Sequence, residues 1–303
     1  MTNIRSALNL TGVLNSPDLL ETRAGNPSDK DLQRAEGSCR IVVGGSERGT
    51  RVVDVFQKSP IRVLFPRVGA GGTEEAVLIN TAGGIAGGDQ LNYDVTALDG
   101  ALMAITSQAA EKVYAALDAS ARITTKLRAF AGAKLAWLPQ ETITFNRARL
   151  RRVTEIEITF GAELLALEWL VLGRAAHGEK MVSGNISDSW RVKKDGRLVW
   201  ADSFRLTDET FPHLCRKALL AECKAIGTLI YFGPDCETRL ELLRDAGSSA
   251  ECQFAATSVG GLIIARFAAE ASYDLRSALH SFLERFGRAI GPGPFRVPRM
   301  WSC

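Results

Sequence analysis

Histidine is scarce, with three residues in 303, and His177, His213 and His280 are far apart in the sequence. No HExxH, no GxSxG and no zinc-ligand cluster occurs, which leaves the common hydrolase and metalloprotease sets without a starting point. His213 and Cys215 form an isolated HxC, too small for a durable four-ligand site. The six cysteines never form CxxC, and a chain of this length does not read as a disulfide framework. Long apolar runs are also missing. The longest, Leu164–Leu172, is interrupted by Glu168 and falls well short of the ~20 residues that cross a bilayer. Met1–Leu20 has no continuous apolar segment of the secretory kind. The expected setting is therefore the cytoplasm, with reduced thiols and no membrane partner. Neither sign of charge dominates: 37 Lys and Arg face 34 Asp and Glu, for a net charge of +3, so no nucleic-acid partner is expected on charge.

What is present is an ordinary globular mix, 46% hydrophobic and 23% charged, which excludes disorder, collagen and coiled coil. The length suits two domains or one long β unit. Residues 1–37 are polar and irregular, with loop chemistry across Ala24-Gly-Asn-Pro-Ser-Asp-Lys30, and read as a flexible leader. From residue 38 to 303 the text is that of a folded domain. Cys39–Val43 and Arg51–Phe56 are short and β-branched, and Gly44–Gly49 between them reads as the turn of a hairpin.

The centre carries a repeat. Tyr93–Thr106, Thr125–Leu138 and Thr154–Leu167 each read strand, Gly-Ala turn, strand, with the turn glycines at Gly100, Gly132 and Gly161. Repeats of this kind stack and share a core. No helical pattern lies between them, so the expected fold is mainly β: a layered, β-helix-like or solenoid stack of sheets. Ser189–Lys193, Arg197–Ala201 and Gly260–Phe267 add strands. Two helices are expected in the C-terminal part, over Glu237–Arg244 and Ser272–Phe286, the second with Ser272 as its N-cap. Its stripe Leu275, Leu279, Phe282, Phe286 must pack either on the core or on a partner, and Arg276 and Glu284 are its expected exposed neighbours.

Four segments could carry chemistry. In Leu78–Asp89, four glycines (Gly83, Gly84, Gly87, Gly88) fall within six residues. They fit either a tight crossover between strands or an amide cradle for a phosphorylated ligand. The spacing is neither GxGxxG nor GxxxxGK[ST]. Asn80, Thr81 and Asp89 are the polar groups this loop would present. Each repeat then ends in polar or acidic groups: Gln108 with Glu111, Gln140 with Glu141, and Glu168. Stacking brings equivalent positions together, so these groups either line one channel or are solvated loop residues. Glu168 is the sharpest. Leu164, Ala166, Leu170 and Leu172 share its strand face, and Leu165, Leu167, Trp169 and Val171 share the other, so the carboxylate is expected to be buried. Burial demands compensation: Arg174 as partner, a passing cation, or protonation.

These segments resemble the UreD family of urease accessory proteins, called UreH in some systems. The matching motifs are Asn80-Thr-Ala-Gly-Gly-Ile-Ala-Gly-Gly-Asp89, Thr106-Ser-Gln-Ala-Ala-Glu-Lys-Val-Tyr114, Trp137-Leu-Pro-Gln-Glu-Thr-Ile143, Glu168-Trp-Leu-Val-Leu-Gly-Arg174 and Pro298-Arg-Met-Trp301, with Ser59-Pro-Ile-Arg-Val-Leu64 upstream. Together they cover about residues 38–303. Glu111 departs from the family, which often has Thr there, and Pro212–Cys223 is unusually charged and cysteine-bearing.

The resemblance implies a non-enzymatic scaffold that binds apo-urease and UreF, with the GTPase UreG recruited through UreF, and that helps deliver nickel. It implies no tightly bound cofactor, only transient nickel, possible conduction through an internal tunnel, and a β-rich stack with two C-terminal helices. Glu168, Glu141, Glu111, Gln108, Gln140, Thr81 and Asp89 become the candidates for the nickel path. Asn80, the four loop glycines, Lys112, Tyr114, Arg174, Arg299 and Trp301 become candidates for structural or partner-binding roles. The rival reading is an enzyme or binding module that uses the Gly-rich loop.

Overall fold

The computed structural model describes residues 34–47, 49–66, 73–248 and 252–302. Most of the proposed leader, residues 1–33, lies outside the described residues. Residues 34–303 form one compact unit. Its strands are β1 (Glu36–Ser46), β2 (Gly49–Lys58), β3 (Ile61–Leu64), β4 (Glu74–Asn80), β5 (Gln90–Ala97), β6 (Leu102–Ser107), β7 (Glu111–Val113), β8 (Ala121–Ala129) and β9 (Lys134–Leu138). They continue as β10 (Thr142–Thr144), β11 (Arg149–Ile158), β12 (Glu163–Leu172), β13 (Asn185–Lys194), β14 (Arg197–Leu206), β15 (Ala225–Phe232), β16 (Gln253–Val259) and β17 (Leu262–Ala269). The helices are α1 (Cys236–Gly247) and α2 (Ser272–Ile290).

The three repeats are three rungs. β5, β8 and β11 run parallel in a seven-stranded sheet ordered β14-β13-β11-β8-β5-β1-β2. β6, β9 and β12 run parallel in the second sheet, whose main path is β16-β17-β15-β12-β9-β6-β4-β3. The result is the expected β-solenoid-like stack, of about four turns. Register follows the repeat: Tyr93 lies beside Thr125, and Thr125 beside Thr154. The turn glycines stack as well. Gly100, Gly132 and Gly161 all have left-handed φ, between 70° and 84°. The Gly100 amide donates to Ala131 and the Gly132 amide to Gly161.

Alternation decides the layers. β8 places Ala121, Ile123, Thr125, Leu127 and Ala129 inward and Arg122, Lys126 and Arg128 outward. β12 is buried along its whole length because it faces two cores. Leu164, Ala166, Leu170 and Leu172 join the core between the sheets. Leu165, Leu167, Trp169 and Val171 join a second core under the helices. Leu275, Leu279, Phe282 and Phe286 of α2 are fully buried in that second core, so the stripe packs inward and does not await a partner.

The local readings shift in places. Gly44–Ser46 belong to β1 rather than to the turn, with a bulge between Val42 and Val43. Gly45 is needed where it is, because a Cβ there would lie 2.7 Å from the Asp99 carbonyl of the next layer. Ser272 is already helical, and the extended residue before α2 is Ala271, which offers no side-chain cap. Arg276 is not a free surface residue. It donates to Gln140 and Glu141 and to the Trp301 carbonyl, and lies over the Trp169 and Trp301 rings.

Candidate functional site

The strands of the second sheet break at one level, and the motif segments are the breaks. β12 runs unbroken, pairing Ala166 with Trp137 of β9 and Leu170 with Thr142 of β10. Pro139–Glu141 bulges out between those pairs. Proline supplies no ladder donor there, which favours the interruption. One rung below, Gln108–Ala110 separates β6 from β7, and one rung further Thr81–Gly84 separates β4 from an Ile85–Val113 bridge. Three aligned interruptions open the space between the sheets. A cavity of about 340 Å³ results.

Its wall carries Asn80, Tyr93, Gln108, Glu111, Lys112 and Thr125, and deeper in Trp137, Gln140, Thr142, Arg152 and Glu168. Glu168 is buried, as expected, but its partner is not Arg174. Arg152 Nη1 donates to Glu168 Oε2 at 2.7 Å. The same guanidinium grips Asp188 with Nε and Nη2, at 2.9 and 2.7 Å, and Nη1 also donates to Thr142. Glu168 Oε1 accepts from Trp137 Nε1 at 2.8 Å. Arg174 instead pairs with Glu179 and stacks over Phe145. The reason is local: Gly173 takes φ 85° and turns the chain outward as β12 ends.

Two buried carboxylates thus share one buried cation. Burial pushes the Glu168 carboxyl up, with Asp188 adding to the rise, and Arg152 and the Trp137 hydrogen bond oppose it. Burial works against the Arg152 charge too, but Asp188 and Glu168 more than offset it and keep the guanidinium protonated. Burial also raises Tyr93, helped by Glu111. The Thr125 hydroxyl lines the cavity without a hydrogen-bond partner among the described residues.

Glu111 stands nearer the mouth. Asn80 Nδ2 donates to both of its oxygens at 3.1 Å, yet burial outweighs this and moves the carboxyl up to about 7. A raised acid favours the folded state at low pH. That advantage is complete below the ordinary carboxylate value and is lost as pH rises through 7. Glu111→Gln is therefore expected to melt above the wild type at pH 8, by a few degrees, with the gap closing toward pH 5. Thermal melts of both proteins across that range check it, and a gap of constant size would show the carboxylate to be ordinarily solvated.

The structure gathers Glu168, Glu111, Gln108 and Gln140 around one cavity. The other three path candidates lie elsewhere. The Glu141 carboxylate accepts from Arg276, and its carbonyl from the Glu111 amide. Thr81 donates to the Pro60 carbonyl. Asp89 accepts the amides of Ala35 and Ala86, closing the Gly-rich crossover onto itself.

Other amides of that loop are taken as well: Ala82 by the Asn80 side chain, Gly83 by Asn80 O, Ile85 by Lys112 O. With these amides engaged and Asp89 and Glu111 beside it, the loop is poorly suited to a phosphate. Gly84 is required by contact, since a Cβ would meet the Tyr114 ring at 2.5 Å. The Tyr114 hydroxyl in turn donates to the Gly83 carbonyl. Gly87 is as crowded, against the Ala119 carbonyl, and Gly88 sits beside Arg34 with φ 91°. Trp301 is buried, donating its indole to the Leu138 carbonyl, and Met300 accepts from Gln140. Arg299 begins the short terminal 3-10 turn and acts electrostatically on the buried Glu75.

Sequence reasoning missed Arg152, Asp188, Tyr93, Thr125, Thr142 and Trp137. A signal existed for the first two: each is a charge in the apolar phase of an alternating strand. Arg152 falls in step with Leu150, Thr154 and Ile156, and Asp188 with Ile186, Trp190 and Val192. Among the described residues no cluster of three or more His, Cys, Asp and Glu could hold a metal ion, the cysteines Cys39, Cys215, Cys223, Cys236 and Cys252 are unpaired, and no helix is long and apolar enough to cross a membrane.

Comparison with known proteins agrees with the motifs. Residues 35–302 match the family model described as UreD urease accessory protein. A urease accessory protein UreD of Xanthobacter autotrophicus is 41% identical over 270 residues, covering 89% of this chain and 91% of its own. The UreD of Methylobacterium sp. (strain 4-46) is 39% identical over 285 residues, 91% of this chain and 98% of that one. One from Rhodopseudomonas palustris (strain BisB18) is 40% identical over 268 residues, 88% and 94% of the respective chains.

Proposed function

We propose, from the premise that this chain belongs to the UreD urease accessory protein family, that it is a cytoplasmic, non-enzymatic scaffold which conducts nickel toward apo-urease. The family places it in urease maturation. The finer reading gives it the urease apoprotein and UreF as direct partners, with UreG reached through UreF. Nickel is cargo here, not a resident cofactor.

The observation that carries this reading is the cavity behind the strand breaks, with Glu111 near its mouth and Glu168 at its floor. Ni(II) accepts carboxylate, carbonyl and amide oxygens, and the wall offers these without imidazole or thiolate. Oxygen donors in small number hold the ion loosely, which suits passage more than storage. Gln108, Gln140 and the free Thr125 hydroxyl add neutral oxygens between the two carboxylates.

The test is maturation itself. Apo-urease produced with UreF and UreG, with and without this chain, is assayed for bound nickel and for ureolysis. The chain should raise nickel per active site severalfold and co-purify with UreF and urease. Equal loading without it, or turnover by the isolated chain, would overturn the scaffold reading.

A further inference from the structure

Among the described residues no helix covers the outward face of the seven-stranded sheet, since both helices pack on the other sheet. Near the starts of β8 and β11 that face carries like charges in register. Arg122 and Arg151 are direct cross-strand partners, both exposed. Across β13, beyond Ser187, the same row ends in exposed Arg205. Like charges set opposite one another in a sheet repel. Among the described residues none of the three guanidinium groups has a hydrogen-bond or ion-pair partner.

The contrast lies four residues along, past an uncharged row of Thr124, Val153 and Ser189. There Asp94, Lys126, Glu155 and Arg191 alternate in sign across four strands. The sheet thus balances one charged row and leaves the other unbalanced, around a shallow trough of about 350 Å³.

We propose that this arginine row docks an acidic face of a protein partner; the inference rests on the maturation reading and assigns one of its surfaces. Arginine is enriched in protein interfaces, and charge complementarity sets both encounter rate and register. Two features favour a protein over other anions. Glu155 stands in the trough among the basic groups, a mixed pattern that a uniformly negative polymer or bilayer would meet with repulsion. No aromatic side chain lines the trough for bases to stack on. Removing these arginines also relieves repulsion, so the fold does not depend on them.

The experiment uses the full chain as wild type, as Arg151→Glu/Arg205→Glu, and as Arg216→Glu/Lys217→Glu, a control with the same change of net charge on an exposed segment. Binding to purified apo-urease and to UreF is measured at low and high salt, beside melting temperature. The row variant is expected to melt no lower than the wild type and to bind one of the two at least about tenfold more weakly at low salt, with the salt dependence of that complex reduced. The control is expected to bind as the wild type does.

Unchanged binding to both proteins by the row variant would overturn the docking inference and leave the maturation reading standing. Equal weakening in the control would overturn it also, by making the effect one of net charge. Loss of binding only to duplex DNA or to vesicles containing phosphatidylserine would overturn it in favour of those anions. A wild-type chain that binds neither protein would sink the maturation reading, and this inference with it.

Discussion

Arg152→Leu is expected to be the most damaging single substitution in the chain. It removes the cation that Glu168 and Asp188 share, at a site where all three side chains are more than nine-tenths buried. Breaking a buried ion pair from one side costs about 3–5 kcal/mol, because a desolvated charge is left behind. Here two carboxylates are left, so the upper part of that range applies. That is a large share of the ~5–15 kcal/mol by which an ordinary domain is stable.

The expected result is a protein that expresses mostly as aggregate or melts far below the wild type. Adding Glu168→Gln and Asp188→Asn to the same chain should recover part of the loss, since the orphaned charges are then gone. Chemical denaturation of the single and triple variants decides it. Equal stability of Arg152→Leu and wild type would show that the cluster is hydrated through the cavity and is not a buried network.

Glu168→Gln is expected to do the reverse, leaving the fold largely intact and impairing maturation. Arg152 keeps both of its bonds to Asp188, so the guanidinium retains a full partner. The charge balance even improves, from two carboxylates per cation to one. The cost is geometric. Glu168 accepts from Trp137 with one oxygen and from Arg152 with the other, and an amide has only one acceptor. One hydrogen bond is lost, worth about 1–2 kcal/mol, partly offset by the relieved burial of a charge. A modest drop in melting temperature follows.

Function suffers more, because the floor of the cavity loses its carboxylate charge, which Arg152 holds by a single bond; Asp188 is held by Arg152 from two sides and does not line the cavity. Nickel per urease active site should fall severalfold while UreF and apo-urease still co-purify. Fully loaded urease from this variant would remove Glu168 from the metal's route. Glu111→Gln is the right second site for a double-mutant cycle, since Glu111 lines the same cavity and Glu141 does not. A combined loss larger than the sum of the two would mark a shared path.

The two pairings of Glu168 show how far local pattern reaches. Period-two alternation assigned β12 both of its apolar faces, and both cores use them as read. The same rule set Glu168 among Leu164, Ala166, Leu170 and Leu172, and so buried it. It could not name the partner. Arg174 was the near choice along the chain, but Gly173 turns it away to Glu179, while Arg152 arrives from β11 in the opposite sheet. Sixteen residues of sequence separate Arg152 from Glu168, and only the stacking of the rungs closes that gap.

The sequence by itself determined the rungs, the glycine turns between them, the alternating faces of the repeat strands and of β12, and the helix stripe. Those properties depend on backbone conformation and on a two- or four-residue side-chain period, and both are local. The tertiary structure alone decided that three motif segments are aligned strand breaks, that they open one cavity, and that Glu111 and Glu168 face it while Glu141, Thr81 and Asp89 are taken up by bonds outside it. It also decided that Arg122 and Arg151 stand opposed while the charged row four residues along is balanced. Each of these depends on register between strands about thirty residues apart, and register is fixed by how the rungs pack, not by any window of the chain.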